Sequence, residues 1–152
     1  MTRSGLREKV ITERVAWIRE MLAAIRTLPL ASCDAFTADR RNIAAAESYL
    51  RRGLEALMDL GRHLLAKGFG VAAAEYRDVP LRLKEVGILT KDDADRMGQM
   101  ARYRNRMVHF YQEISTQELY HICAHQLDDV EHVTRALTSW LESHPELIDR
   151  SL

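Results

Sequence analysis

The chain has 152 residues, of which 47% are hydrophobic and 29% charged, with 22 Lys+Arg against 22 Asp+Glu. That length is enough to bury a core, and the balanced charge excludes a generic polyanion binder that works through net charge. The basic residues are 18 arginines and only 4 lysines, and arginine is the better residue for forked, planar recognition of phosphate or carboxylate.

Apolar residues recur at helical spacing almost throughout, with few strand-like alternations. A first helix is expected from about Gly5 to Leu28, with Leu6, Val10, Trp17, Met21, Ala24 and Leu28 inward. Pro29 helps end it, because proline cannot continue the hydrogen-bond ladder. Residues 29–37 read as a connection. A second long helix is expected from about Ala38 to Lys67, capped by Thr37 or Asp39. Its buried stripe is Ile43, Leu50, Leu54, Leu57, Gly61 and Leu64, while Arg41, Arg52 and Asp59 point away. Glu47 falls on the edge of that stripe, where a buried or interfacial ion pair can form. Gly68 and Gly70 provide the stop.

Asp78 is the expected cap of a short helix with Pro80 in its first turn, and Gly87 ends it. Ile88-Leu89 steps into Thr90, the cap of a helix reaching about Met107. The last helix is expected unbroken from about Thr116 to Glu142, with Leu119, Ile122, Val130, Val133, Leu137, Trp140 and Leu141 inward. Pro145 and a short polar tail close the chain. Four main helices plus a short one predict an all-α, antiparallel up-down bundle, a single domain over 1–152 with its core at about 5–144. Cys33 and Cys123 form no CxxC pattern and are expected as reduced thiols. No stretch approaches 18 apolar residues and MTRSGLREKV lacks the apolar run of a signal peptide, so a cytoplasmic protein outside the membrane is expected.

The stretch Arg104-Asn105-Arg106-Met107-Val108-His109-Phe110-Tyr111 breaks the bland pattern. Met97, Met100, Ala101, Arg104, Met107, Val108 and Tyr111 share one helical face, with Arg104 at its centre. A guanidinium there must be paired, must snorkel, or must line a cleft that needs positive charge. Residues 96 to 112 hold Arg96, Arg102, Arg104 and Arg106 and no acid, a field that attracts a nucleic-acid backbone. Cleaving RNA without metal requires a group to take the 2′-OH proton and a cation to stabilise the phosphorane. His109 suits the first task and Arg104 the second, with Asn105 able to orient the histidine or touch a phosphate.

The bare arginine–histidine pair is weak evidence, since nearly one such spacing is expected by chance in a chain this rich in arginine. Geometry adds a constraint: on one continuous helix Arg104 and His109 lie about 140° apart, whereas Asn105 and His109 share a face. Either the helix breaks before His109, or the site combines side chains from two subunits across a two-fold dimer. His121, His125, Asp128 and His132 are also expected on one face, opposite the apolar stripe of the last helix. That set is chemically able to hold zinc, although a polar helix face is usually just solvated. Ser32, His63 and Asp59 have no spacing that makes a nucleophile, and Gly68-Phe69-Gly70 is too short for a phosphate loop.

YRDVPLRLKEVGILTKDDADRMGQMARYRNRMVHFYQEISTQELYHI resembles the core of the HEPN superfamily in its HepT-like branch, with the GIL step, RNxxVHxY and the last helix in order. RNIAAAESYLRRGLEALMDLGRHLL resembles that family's long second helix, and the similarity runs from about residue 10 to 145. The resemblance implies a homodimeric, metal-independent endoribonuclease that needs no cofactor and acts as toxin in a two-gene toxin–antitoxin pair. It implies Arg104 and His109 as the nuclease pair, Asn105 as the polar residue beside them, and Tyr111 as the tyrosine to which a minimal nucleotidyltransferase attaches AMP. Arg96, Arg102 and Arg106 are then expected to contact the RNA substrate. The alternative is a non-catalytic HEPN subunit that binds a nucleotide or a nucleotidyltransferase, since the same arginine and histidine can simply hold phosphate.

Overall fold

Among the residues that the computed structural model describes, 6–109 and 114–150, apolar positions at helical spacing build seven helices. A short strand β1 (Leu6–Arg7) leads into α1 (Glu8–Arg26), α2 (Cys33–Thr37) and α3 (Arg40–His63). A π-helical turn, Leu64–Gly68, ends α3, and α4 (Asp78–Glu85) and α5 (Lys91–Val108) follow. Then come α6 (Thr116–His125), α7 (Leu127–Glu142), a 3-10 turn (Pro145–Leu147) and β2 (Ile148–Asp149). No helix among these is long and apolar enough to cross a membrane.

The hub is α3, which packs against α1, α2, α4, α5, α6 and α7. Leu50, Leu54, Leu57, Gly61 and Leu64 are buried, as the spacing predicts, Ile43 is only partly buried, and Leu60 is buried beside them. Glu47 is exposed, so it forms no buried ion pair within the chain; the half-buried acid of this helix that pairs across to another helix is Glu55. Two glycines let neighbours close in on the hub. At Gly53 a Cβ would sit 3.3 Å from Met21 Cβ, and at Gly61 it would sit 2.7 Å from Val79 Cγ1, 3.0 Å from Leu83 Cδ1 and 3.2 Å from Met97 Cε. Gly61 is therefore where α4 and α5 approach α3. Alanine there gains helix propensity but has to push short, packed side chains aside, so Gly61→Ala is expected to cost about 1–2 kcal/mol net. An unchanged urea midpoint for this variant would contradict the close-packed crossing.

Three features depart from the sequence-based expectation. The inward face of α1 is Ile11, Val15, Ile18, Met21, Leu22 and Ile25, and Trp17 is 39% exposed. This helix carries two overlapping apolar arcs, and the one made of compact aliphatic side chains fits the close approach at Gly53. The connection after Pro29 contains α2, capped by Ser32 Oγ, which accepts the Ala35 N–H at 3.1 Å, and it buries Phe36 completely. The last helix is two helices, broken at Gln126, whose φ and ψ are −120° and 4°. Gln126 Oε1 accepts the Tyr103 hydroxyl at 3.2 Å, and Asp128 and Asp129 fall in the first turn of α7, where the helix dipole favours acids. The break re-aims the chain, so that α6 packs on α2 and α3 while α7 packs on α5. Trp140 is only half-buried, stacked 4.1 Å from the His144 ring.

The tail does more than close the chain. Its β2 pairs in parallel with β1, Leu6 opposite Ile148 and Arg7 opposite Asp149, with Leu6 fully buried. The Arg7 N–H next to that pair donates to His63 Nε2 at 3.4 Å. Burial, then the charges of Lys67, Arg14 and Arg7, hold the His63 pKa below its ordinary value of 6.5. The folded chain therefore binds fewer protons there than the unfolded chain. Its contribution to stability is present above the unfolded pKa and is lost as the pH falls through the folded one. The urea midpoint of the wild type is expected to fall more steeply than that of His63→Gln as the pH drops below about 6.5. Parallel slopes for the two proteins would refute this.

Candidate functional site

The residue that opposed the apolar pattern of α5 has its partner on the hub helix. Thr90 starts α5 by accepting the Asp93 N–H at 3.2 Å, and Met97, Met100 and Ala101 bury the first turns against the core. One turn further on, Arg104 Nε and Nη2 both donate to Glu55 Oε2, at 2.9 and 2.7 Å. Its Nη1 donates to Asn105 Oδ1 at 3.2 Å. The Arg104 and Glu55 side chains are 24% and 23% exposed, so the pair is partly desolvated yet open to the cleft it borders. Two of the three expected solutions thus hold together: the guanidinium is paired, and it lines a cleft.

The helix ends before His109. Val108 is the last helical residue, and His109 is extended, with φ −106° and ψ 100°, while its N–H still donates to Asn105 O at 3.2 Å. That break removes the angular separation a continuous helix would impose. Arg104, Asn105 and His109 all line one cleft of about 470 Å³, with Arg62, Ala74, Glu75, Tyr76 and Arg77 as its other walls. His109 is exposed. Tyr111 lies outside the described residues.

The cleft is built on a charged face of α3. Arg51, Glu55 and Asp59 follow one another at i, i+4 spacing, and Arg51 Nη1 donates to the second Glu55 oxygen at 3.0 Å. Asp59 Oδ1 accepts the Tyr76 hydroxyl at 2.8 Å. The guanidiniums of Arg104 and Arg62 lie 4.6 and 4.7 Å from the centre of the Tyr76 ring, within cation–π range. Arg62 Nη2 also donates to Ala74 O at 3.2 Å and so tethers the loop that carries Tyr76. Burial, then the hydrogen bond and charge of Asp59, push the Tyr76 phenol up to about 12, so it stays protonated and acts as a donor.

The remaining arginines of the motif region have other surroundings. Arg96 pairs with Asp93 at 2.9 Å and Arg106 with Glu118 at 2.7 Å, while Arg102 is exposed. None of the three lines the cleft, whose cations are Arg62, Arg77 and Arg104. Sequence reasoning missed Glu55, Arg62, Tyr76 and Arg77. The i, i+4 charges on α3 were the available signal, but on an amphipathic helix they read as a solvated face. Asp59, expected to point away, is held by Tyr76.

The histidine face of the last helix is dispersed by the break at Gln126. His121 and His125 rings are 5.2 Å apart, Asp128 pairs with Arg26 at 3.1 Å, and His132 Nε2 meets Asp93 at 2.8 Å. Among the described residues no three His, Cys, Asp or Glu side chains come together in a way that holds a metal ion. Cys123 is buried, which pushes its thiol up to about 12.

A family model described as Ribonuclease HepT-like matches residues 15–137. Among solved structures, the chain is similar to the tri-AMPylated Shewanella oneidensis HEPN toxin in complex with MNT antitoxin, at 23% identity and a TM-score of 0.78, over 86% of this chain and 97% of that one. It is similar to a toxin–antitoxin structure with AMP-PNP at 22% identity and a TM-score of 0.78, over 87% of this chain and 99% of that one. It also resembles YutE, a cytosolic protein of unknown function from Bacillus subtilis, at 19% identity and a TM-score of 0.74, over 95% of each chain. At these identities the structural likeness establishes the all-helical fold alone. No curated protein matches the sequence.

Proposed function

We propose, from the premise that this chain belongs to the HepT-like family, that it is a metal-independent endoribonuclease acting as the toxin of a toxin–antitoxin pair. The observation that carries the reading is the meeting of Arg104, Asn105 and His109 on one cleft wall, which the end of α5 at Val108 makes possible. In the reaction the 2′-OH gives up its proton, its oxygen bonds to phosphorus, and the P–O5′ bond breaks as the leaving oxygen takes a proton. The product is a cyclic phosphate end. Arg104 supplies fixed positive charge to the phosphate oxygens, where charge develops, and His109 moves or positions a proton. A homodimer that brings two such walls together would supply two histidines, one for each proton transfer.

Arg96, Arg102 and Arg106 are assigned to the RNA backbone outside the cleft. In their ion pairs the Arg96 and Arg106 side chains remain 43% and 36% exposed, which leaves each guanidinium N–H groups that can meet a phosphate without displacing the acid. A solved structure of similar fold holds a tri-AMPylated HEPN toxin with MNT antitoxin, which supports a nucleotidyltransferase partner and AMP transfer to this chain, and we assign Tyr111 as the acceptor from its place in the motif. We place the protein in the cytoplasm. A second reading, a non-catalytic subunit that binds a nucleotide or the transferase, draws on the Glu55 carboxylate that already occupies part of Arg104.

Induced expression separates the two. The ribonuclease reading expects growth arrest and RNA breakdown, both relieved by Arg104→Ala or by His109→Ala. Stable capture of the transferase by a wild type that neither arrests growth nor cuts RNA would overturn it.

A further inference from the structure

A carboxylate on the key arginine can be an obstacle or a brace, and the donor count distinguishes them. A guanidinium has five N–H groups in a rigid fork. Glu55 takes the Nε hydrogen and one on Nη2, both on the single oxygen Oε2, and Asn105 takes one on Nη1. One N–H on each terminal nitrogen remains, which is the pair that can fork two phosphate oxygens in the cleft Arg104 lines. Glu55 is itself fixed from the other side by Arg51 at 3.0 Å, so it is a held group rather than a loose plug. The Tyr76 ring bears on the same guanidinium at 4.6 Å, and the ring is held in turn by its hydroxyl on Asp59 at 2.8 Å.

From this we infer that Glu55 and Tyr76 are positioning residues, an edge-and-face clamp from α3 and the loop before α4 that presents the free end of Arg104 to an RNA phosphate. The inference rests on the ribonuclease reading and adds two residues to it. A pre-oriented guanidinium acts on the transition state, so its loss is expected mainly in kcat, whereas a competitor for Arg104 would act mainly on substrate binding.

The test is steady-state cleavage of a defined RNA oligonucleotide by purified full-length variants, with thermal melts to confirm folding. Glu55→Ala is expected to lower kcat about 30- to 100-fold with KM changed less than about threefold. Glu55→Gln keeps an acceptor oxygen and is expected to lose only about 5- to 10-fold. Tyr76→Leu removes the ring, and Tyr76→Phe, which keeps it, is expected to recover about tenfold of what leucine loses. Should Glu55→Ala fail to fold, Glu55→Gln and the Arg104 side-chain Nε–H signal in a 15N spectrum decide instead. That proton is expected to be well protected from exchange in the wild type and less protected in Glu55→Gln, whose neutral oxygen holds it more weakly. Glu55 variants as fast as the wild type, or faster with a lower KM, would overturn the clamp alone. A wild type that cuts no RNA would overturn the ribonuclease reading beneath it.

Discussion

Arg104→Ala is expected to lower RNA cleavage by about 10³-fold while the chain still folds. In the proposed reaction the residue supplies permanent charge where charge develops in the transition state, in a cleft that water screens less than bulk solvent would, and that makes the loss large. The fold tolerates it because Glu55 keeps its second partner Arg51, and because a pair that is 24% and 23% exposed is only partly desolvated. Removing it should cost about 1 kcal/mol of stability. Arg104→Lys keeps the charge but has three N–H groups in place of five in a planar fork, so it cannot keep two on Glu55, one on Asn105 and still fork two phosphate oxygens. It is expected to recover less than about a tenth of the lost activity. His109→Ala should lose about 10²–10³-fold with less effect on stability, since that residue is exposed. An Arg104→Ala protein that cuts within about threefold of the wild type would show that the guanidinium is an incidental passenger.

Tyr111→Phe is expected to abolish neutralisation by the nucleotidyltransferase partner. Co-expressed with that partner, the wild type should gain the mass of one or more adenylates, lose RNA cleavage and stop arresting growth. The phenylalanine variant should show no mass gain and should arrest growth whether the partner is present or not. The physical reason is charge and bulk: an adenylyl phosphate attached two residues beyond His109 brings a negative group toward a cleft walled by Arg62, Arg77 and Arg104. Those arginines would then hold an internal phosphate in place of the substrate's. Full neutralisation of Tyr111→Phe with no change in mass would place the antitoxin's action elsewhere, in simple occlusion of the cleft.

Local chemistry marked much of this molecule in advance. The start of α5 at Thr90 and its end near Met107 follow from a cap and a fading apolar stripe, and Arg104 stood out as a charge in the wrong place. A helix ending before His109 was one of two geometries left open in advance, the other being a site shared by two subunits, and α5 does end at Val108. What stayed hidden depends on residues far apart in the chain. Glu55 lies 49 positions from Arg104, on a face of α3 that looks solvated until the loop carrying Tyr76 covers it. Arg62 and Arg77 join the cleft because the chain turns back between them. Periodicity also could not set the phase of α1, where two apolar arcs compete and Gly53 on another helix selects the compact one. Nor could it show the break at Gln126, which depends on α6 and α7 having different partners.

The most direct measurement is end-group analysis of a defined RNA incubated with the purified wild type and with Arg104→Ala and His109→Ala, in buffer containing excess EDTA. The account predicts that the wild type cuts and leaves 2′,3′-cyclic phosphate ends, and that both variants leave the RNA whole. Cleavage that stops when EDTA is added, fragments ending in a 3′-hydroxyl, or variants that cut like the wild type would contradict it.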